Sequence, residues 1–86
     1  MNQTSKPEPQ VFDIEKTMRK SEFADTLAKA RHGDKIIYAR GVTVGGINKQ
    51  PALDAQEAGL VALVQKRLGK GRFEYIAQRT KKRIKK

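Results

Sequence analysis

The chain has 86 residues, which is enough for one small domain. It carries 19 Lys and Arg residues against 9 Asp and Glu residues, a formal net charge of +10. The absence of cysteine excludes disulfide bonds and thiolate metal sites, and no apolar run reaches the ~18 residues of a membrane-spanning helix. We therefore expect a soluble cytoplasmic protein without membrane association.

Both ends of the chain are predicted to be tails. Residues 1–10, "MNQTSKPEPQ", contain two prolines and too little apolar surface to offset the entropy of ordering, so we predict disorder there. Residues 81–86, "KKRIKK", are predicted to form a flexible basic tail. One domain over residues 11–80 remains. It is near the lower size limit for a single core, and a homodimer would help to stabilise it.

The first predicted elements are helical. Apolar residues at helical spacing in residues 11–20 allow a short helix or a docked arm. The segment "SEFADTLAKARHGD" predicts a helix more clearly, with Ser21 as its N-cap and an apolar stripe that includes Phe23 and Leu27. Gly33 is predicted to end this helix in the left-handed C′ conformation.

A strand and a loop are predicted next. "KIIYARG", residues 35–41, is rich in strand-forming residues, and its two adjacent isoleucines suggest contacts on both faces. Residues 41–50 are glycine-rich and predict a loop with a brief extended piece at 42–44. Pro51 disfavours helical geometry at the residue before it, so we expect the second helix to start near Pro51.

Residues 52–68 allow two interpretations. One is a single helix capped by Gly69. The other is a helix that ends at Ala58, a turn at Gly59, and a strand over 60–67 that pairs with residues 72–79. We favour the hairpin, because Gly59 would cost a continuous helix about 1 kcal/mol relative to alanine. In addition, the alternating strand "RFEYIAQRT" needs a paired neighbour.

Charge is concentrated in the last quarter of the chain. Residues 1–64 hold nine cations and eight anions, whereas residues 65–86 hold ten cations and one anion, so their net charges are +1 and +9. Such asymmetry predicts a polyanionic partner, with solubility as the simpler explanation. The residues predicted to contact nucleic-acid phosphates are Lys66, Arg67, Lys70, Arg72, Arg79, Lys81, Lys82 and Arg83.

The sequence offers no pattern for catalysis or cofactor binding. His32 is the only histidine and is interpreted as a C-terminal capping residue of the first helix. The loop "GVTVGGINKQ" lacks the spacing of a phosphate-binding loop. We therefore predict that the protein is not an enzyme and uses no cofactor. Tyr38, Phe73 and Tyr75 are expected in the core, so an RNA-type stacking surface is not predicted and DNA is the favoured nucleic acid.

Two stretches, "FADTLAKARHGDKIIYARG" and "EAGLVALVQKRLGKGRFEYIAQR", resemble a group of small uncharacterised proteins of proteobacterial phages and prophages. The resemblance covers residues 23–79 and implies an origin in a mobile element, with no established activity. The order helix, strand, helix, hairpin is also similar to a reduced winged-helix domain of the α+β class, without the first of the two helices that normally lie between strand and hairpin.

Two functions follow from these observations as hypotheses. The first is a DNA-binding protein that binds the phosphate backbone with its hairpin and C-terminal tail. The second is a phage-type interaction module, such as an adaptor, assembly factor or inhibitor, that docks on an acidic protein surface. In that case the edge of the "KIIYARG" strand or the hairpin could join a partner's sheet.

Overall fold

A four-stranded sheet organises the part of the chain that the computed structural model describes, which is residues 9–17, 19, 21–42 and 46–82. The elements in chain order are β1 (Val11–Asp13), α1 (Glu22–Lys29), β2 (Lys35–Gly41), α2 (Lys49–Glu57), β3 (Val61–Gly69) and β4 (Arg72–Arg79). They form one small α+β domain, as predicted. Neither α1 nor α2 is long and apolar enough to cross a membrane.

The strands are arranged in the order β1-β2-β4-β3. β1 runs parallel to β2, whereas β2 and β3 both pair antiparallel with β4. β2 therefore lies inside the sheet, between β1 and β4. The expectation that the edge of "KIIYARG" could join a partner's sheet is wrong for residues 35–37, because both edges of that part are paired, whereas β1 does not extend beside residues 38–41.

Of the two possibilities allowed for residues 11–20, the docked arm fits the structure, because residues 11–13 dock on the sheet as β1, and the helix does not. Val11 pairs with Lys35 and Asp13 with Ile37. Order begins before Val11, because the backbone N–H of Lys35 donates to the Gln10 carbonyl over 2.9 Å. Residues 1–8 and 83–86 of the two predicted tails lie outside the described residues, and so does most of the brief extended piece expected at 42–44.

Both helices pack on one face of the sheet. Phe23 of α1 is the largest of the fully buried side chains and is only 1% exposed. Its ring meets that of Tyr38 edge-on, with centroids 6.2 Å apart. Tyr75 lies in the same cluster, so the prediction that Tyr38 and Tyr75 pack in the core is confirmed. We call the opposite side of the sheet the far face.

The ends of α1 differ from the sequence-based prediction. Ser21 occupies the N-cap position, but its side chain makes no capping hydrogen bond to the helix backbone. The helix ends at Lys29, because Ala30 is already extended with ψ of 146°. Gly33 does have a left-handed φ of 92°, but it lies in the turn after the helix and not at C′.

The turn at Gly59 decides the architecture of the C-terminal half. α2 starts at Lys49, two residues before Pro51. Proline is tolerated at this position because backbone N–H groups in the first turn of a helix have no partner within the helix. It ends at Glu57, and Gly59 turns the chain with φ of 80°. Residues 61–69 are then a strand, so the hairpin is confirmed and the continuous helix is wrong.

Candidate nucleic-acid interface

The β3–β4 hairpin extends beyond the body of the domain. Its base is packed against the helices, with Val61 buried in the core. β2 ends at Gly41, which pairs with Phe73 of β4. Beyond that pair lie residues 68–72 of the hairpin, which have no neighbouring strand within the described residues, and all of residues 65–72 are exposed. We call residues 65–72 the hairpin arm.

Glycines shape the turn of the arm. Gly69 pairs with Arg72, and Gly71 takes a left-handed φ of 62° that favours glycine. A Cβ atom added at Gly69 or Gly71 would meet nothing within 4 Å. The turn is therefore open on its outer side. Lys70 lies between these two glycines, whose backbone can approach the surface of a partner closely.

Four predicted site residues lie together on the arm: Lys66, Arg67, Lys70 and Arg72. All four are exposed. Strand alternation places Lys66 on the far face and Arg67 on the face of the helices, so the arm presents cations on both sides. No carboxylate among the described residues forms a salt bridge with any of the four.

The nearest acidic residue of the hairpin, Glu74, forms a salt bridge with Arg40. The Arg40 guanidinium donates to Glu74 Oε2 over 3.0 Å, to Asp13 Oδ2 over 2.8 Å and to Glu15 Oε1 over 3.4 Å. The hydrogen bond from Arg40 holds the pKa of the Asp13 carboxyl below its ordinary value. Arg40 thus binds three carboxylates on the far face, and Glu74, which lies opposite Lys66 in the register, has its salt bridge with Arg40.

The role of Arg40 was not predicted from the sequence. Three of the four residues in the network lie far apart in the chain, and no local pattern links them. The register of the sheet brings the guanidinium to its partners. Arg40 pairs with Glu74 of β4, and β1 lies parallel to β2 on its other side.

Arg79 does not belong to the exposed surface that the sequence predicted. Arg79 is only 8% exposed. Its guanidinium donates to the carbonyls of Leu60 over 2.7 Å, Lys82 over 3.1 Å and Ala30 over 3.5 Å. These contacts join the base of the hairpin to the end of α1. A signal was available in the sequence, because Arg79 has the same strand parity as the core residues Tyr75 and Ala77.

The remaining predicted residues lie at the other end of β4. Arg72 and Arg79 are separated by seven strand steps, or roughly 23 Å at about 3.3 Å per residue. Lys81 and Lys82 follow Arg79 and are exposed. The Lys82 ammonium donates to the Ala58 carbonyl over 2.6 Å, at the C-terminus of α2, where the helix dipole favours a cation.

The predicted binding surface is therefore divided. The arm carries one group of cations, and Lys81 and Lys82 form a second group at the base of the hairpin. Arg79 is buried among backbone carbonyls at the base of the hairpin, and Arg83 lies outside the described residues. A single chain does not bring the two groups to one point.

The described residues contain no group of three or more His, Cys, Asp or Glu side chains placed to hold a metal ion. Comparisons of the chain with protein-family models, with curated proteins and with solved structures found no significant match.

Proposed function

We propose that the protein binds nucleic acid, and duplex DNA in particular, by placing the hairpin arm against the phosphate backbone. The observation that carries the proposal is the arm itself, whose cations are exposed and form no salt bridge with any carboxylate that the structure describes, namely Lys66, Arg67, Lys70 and Arg72. Exposed cations on both faces of the hairpin and at its protruding turn suit a groove lined by phosphates. Contacts of this kind give affinity with little preference for base sequence.

We propose this mode in place of a full winged-helix mode. In a winged-helix protein the helix before the hairpin reads base edges. Here that helix is α2, whose exposed residues include Asp54 and Glu57 against Lys49. Carboxylates on the helix would be repelled by phosphates, so the arm is the better candidate for the contact. A binding role without catalysis, a cytoplasmic location and an origin in a mobile element belong to the same proposal.

The test is the salt dependence of binding to a fluorescent 20-base-pair duplex, followed by anisotropy. Four phosphate contacts predict a log–log slope of about −3.6 for the arm alone. An arm variant with glutamine at its four cations, Lys66, Arg67, Lys70 and Arg72, should lose most of this slope. The control variant carries glutamine at four exposed cations elsewhere, Lys16, Lys29, Arg31 and Lys49, and has the same net charge.

The control variant is expected to keep the slope of the parent protein within about one unit. Equal losses in the two variants would mean that net charge alone drives binding, and the arm would have no special role. If the parent protein does not bind duplex DNA even at low salt, the proposal fails and docking on an acidic protein surface takes its place. A single-stranded DNA and an RNA duplex of equal length test the choice of DNA.

A further inference from the structure

The outer edge of β3 is long and only partly protected. β3 is an edge strand of nine residues, Val61–Gly69, and no strand lies beyond it in the part of the chain that the structure describes. Edge strands are usually protected from pairing by charge, proline or a bulge. Lys66, Arg67 and the irregular register after Arg67 protect the tip half. Residues 61–65, "VALVQ", have no such protection.

An apolar row on the far face stops at this edge. The sheet register sets Ile37 of β2, Ile76 of β4 and Val64 of β3 side by side. Ile37 and Ile76 are buried, with 8% and 7% exposure, but Val64 is 45% exposed. An apolar residue added beside Val64 would continue the row and remove that surface from water.

We propose that β3 pairs antiparallel with β3 of a second copy of this chain, about a two-fold axis through Val64. The axis places Val64 beside Val64 of the other copy, so the two apolar rows become one. It also keeps all the helices on the same side of a continuous eight-stranded sheet.

Charge and the apolar row disfavour the registers whose axes lie nearer the arm. With the axis at Val64, Lys66 lies opposite Ala62 and Arg67 opposite Val61, so no cation faces a cation across the strands. An axis at Lys66 would set two lysines directly opposite each other, which is destabilising. An axis at Gln65 would place Lys66 beside Val64 and interrupt the apolar row.

The pairing brings together the two groups of cations that a single chain separates. The arm of one copy runs beside the Gly59 turn of the other, where the Lys82 side chain lies against Ala58 and Gly59. Each end of the paired strands would then hold the arm cations of one chain and the base cations of the other. If the proposed DNA binding is correct, each end is a composite phosphate-binding surface. The pairing of β3 itself does not depend on that function.

The same arrangement predicts a weak dimer. Seven residues of each β3, from Val61 to Arg67, take part, and a contact of this size buries much less than the ~800 Å² per partner of a typical stable interface. Repulsion between the arm and the base cations of the other copy opposes pairing. Salt screens this repulsion, so the dimer is expected to strengthen as salt increases, whereas DNA binding is expected to weaken.

Cysteine substitution provides the test, because the chain has no cysteine of its own. In Val64→Cys the two Cα atoms would lie about 4.5–5.5 Å apart, within the range of a disulfide. Leu68→Cys is the matched control, because Leu68 is also on β3 and is 46% exposed. In the proposed register the two Leu68 positions lie roughly 26 Å apart, or eight strand steps.

Under a mild oxidant, V64C is expected to form an intermolecular disulfide at least about tenfold faster than L68C, because pairing raises the local thiol concentration. The ratio of the two rates should increase from low to high salt. Equal rates, or no disulfide in either variant, overturn the proposal. Far-UV circular dichroism of the reduced proteins checks that both variants are folded. Because no DNA is present, a negative result here is separate from a failure of DNA binding.

Discussion

Arg79 and Arg72 lie at opposite ends of β4 and are expected to respond oppositely to the same substitution. Arg79→Met keeps most of the apolar stem but removes the donors to the carbonyls of Leu60 and Lys82, at 2.7 and 3.1 Å. Each hydrogen bond from a charged group contributes about 1.5–3 kcal/mol. The Leu60 carbonyl keeps a second donor in the Thr80 backbone N–H, at 3.0 Å. We therefore expect a loss of about 3 kcal/mol in the free energy of unfolding.

A loss of this size is large for so small a domain. It corresponds to a decrease in Tm of about 12–24 °C, since 1 kcal/mol shifts Tm by about 4–8 °C in domains of this size. Thermal and urea denaturation followed by circular dichroism measure the effect. Arg72→Met is the control for stability, because Arg72 is exposed and surface substitutions usually change stability by less than about 0.5 kcal/mol.

The same pair of variants separates structure from binding. Arg72→Met is expected to reduce the salt slope of DNA binding by about 0.9, the contribution of one phosphate contact. Arg79→Met, measured at a temperature where it remains folded, should leave the slope unchanged. If Arg79→Met keeps the stability of the parent protein and loses slope as Arg72→Met does, then Arg79 is exposed in solution, and the division of the cations into two groups is refuted.

Two further substitutions test the turn at the base of the hairpin and the ionic network of the far face. Gly59→Ala should lower the free energy of unfolding by about 1–2 kcal/mol in urea denaturation, because alanine disfavours the left-handed φ of 80° and its Cβ would lie 3.3 Å from Lys82 Cδ. Gly69→Ala, which meets neither obstacle, should be nearly neutral, and an equal loss would contradict the role of the turn. Arg40→Met should lower stability near neutral pH. Because the folded state lowers the pKa of Asp13, this difference from the parent protein should shrink as the pH falls below the ordinary value of 3.8 and through the lower folded value. A difference that does not change with pH would contradict the network.

The elements that the sequence predicted well are those with a complete local signal. "SEFADTLAK" has helical periodicity, "KIIYARG" is a run of strand formers, and Gly59 interrupts a pattern that would otherwise continue as a helix. In each case the residues that indicate the element lie within the element itself, so no contact with a distant part of the chain is needed to predict it. The hairpin followed from one further step, namely that a convincing strand at residues 72–79 needs a partner nearby in the chain.

β1 was missed because three residues in a parallel edge strand carry almost no local signal. Val11 and Phe12 are stabilised by pairing with residues 24 positions later in the chain, Lys35 and Ile36. The apolar spacing of residues 11–18 happened to match a helix as well, so a pattern within the segment could not choose between the two. The carboxylate network of Arg40 was missed for the same reason.

By itself the sequence determined the class of the fold, the positions of the helices and the hairpin, and the accumulation of positive charge near the C-terminus. These properties depend on composition and on interactions between residues close in the chain. Only the tertiary structure decided which of those cations reach water on the arm, which one is enclosed by carbonyl groups, and which lie about 23 Å away at the base. The reason is physical. Strand register and side-chain packing set the distances between the charged groups and the burial of each one, and neither quantity follows from which residues are neighbours in the chain.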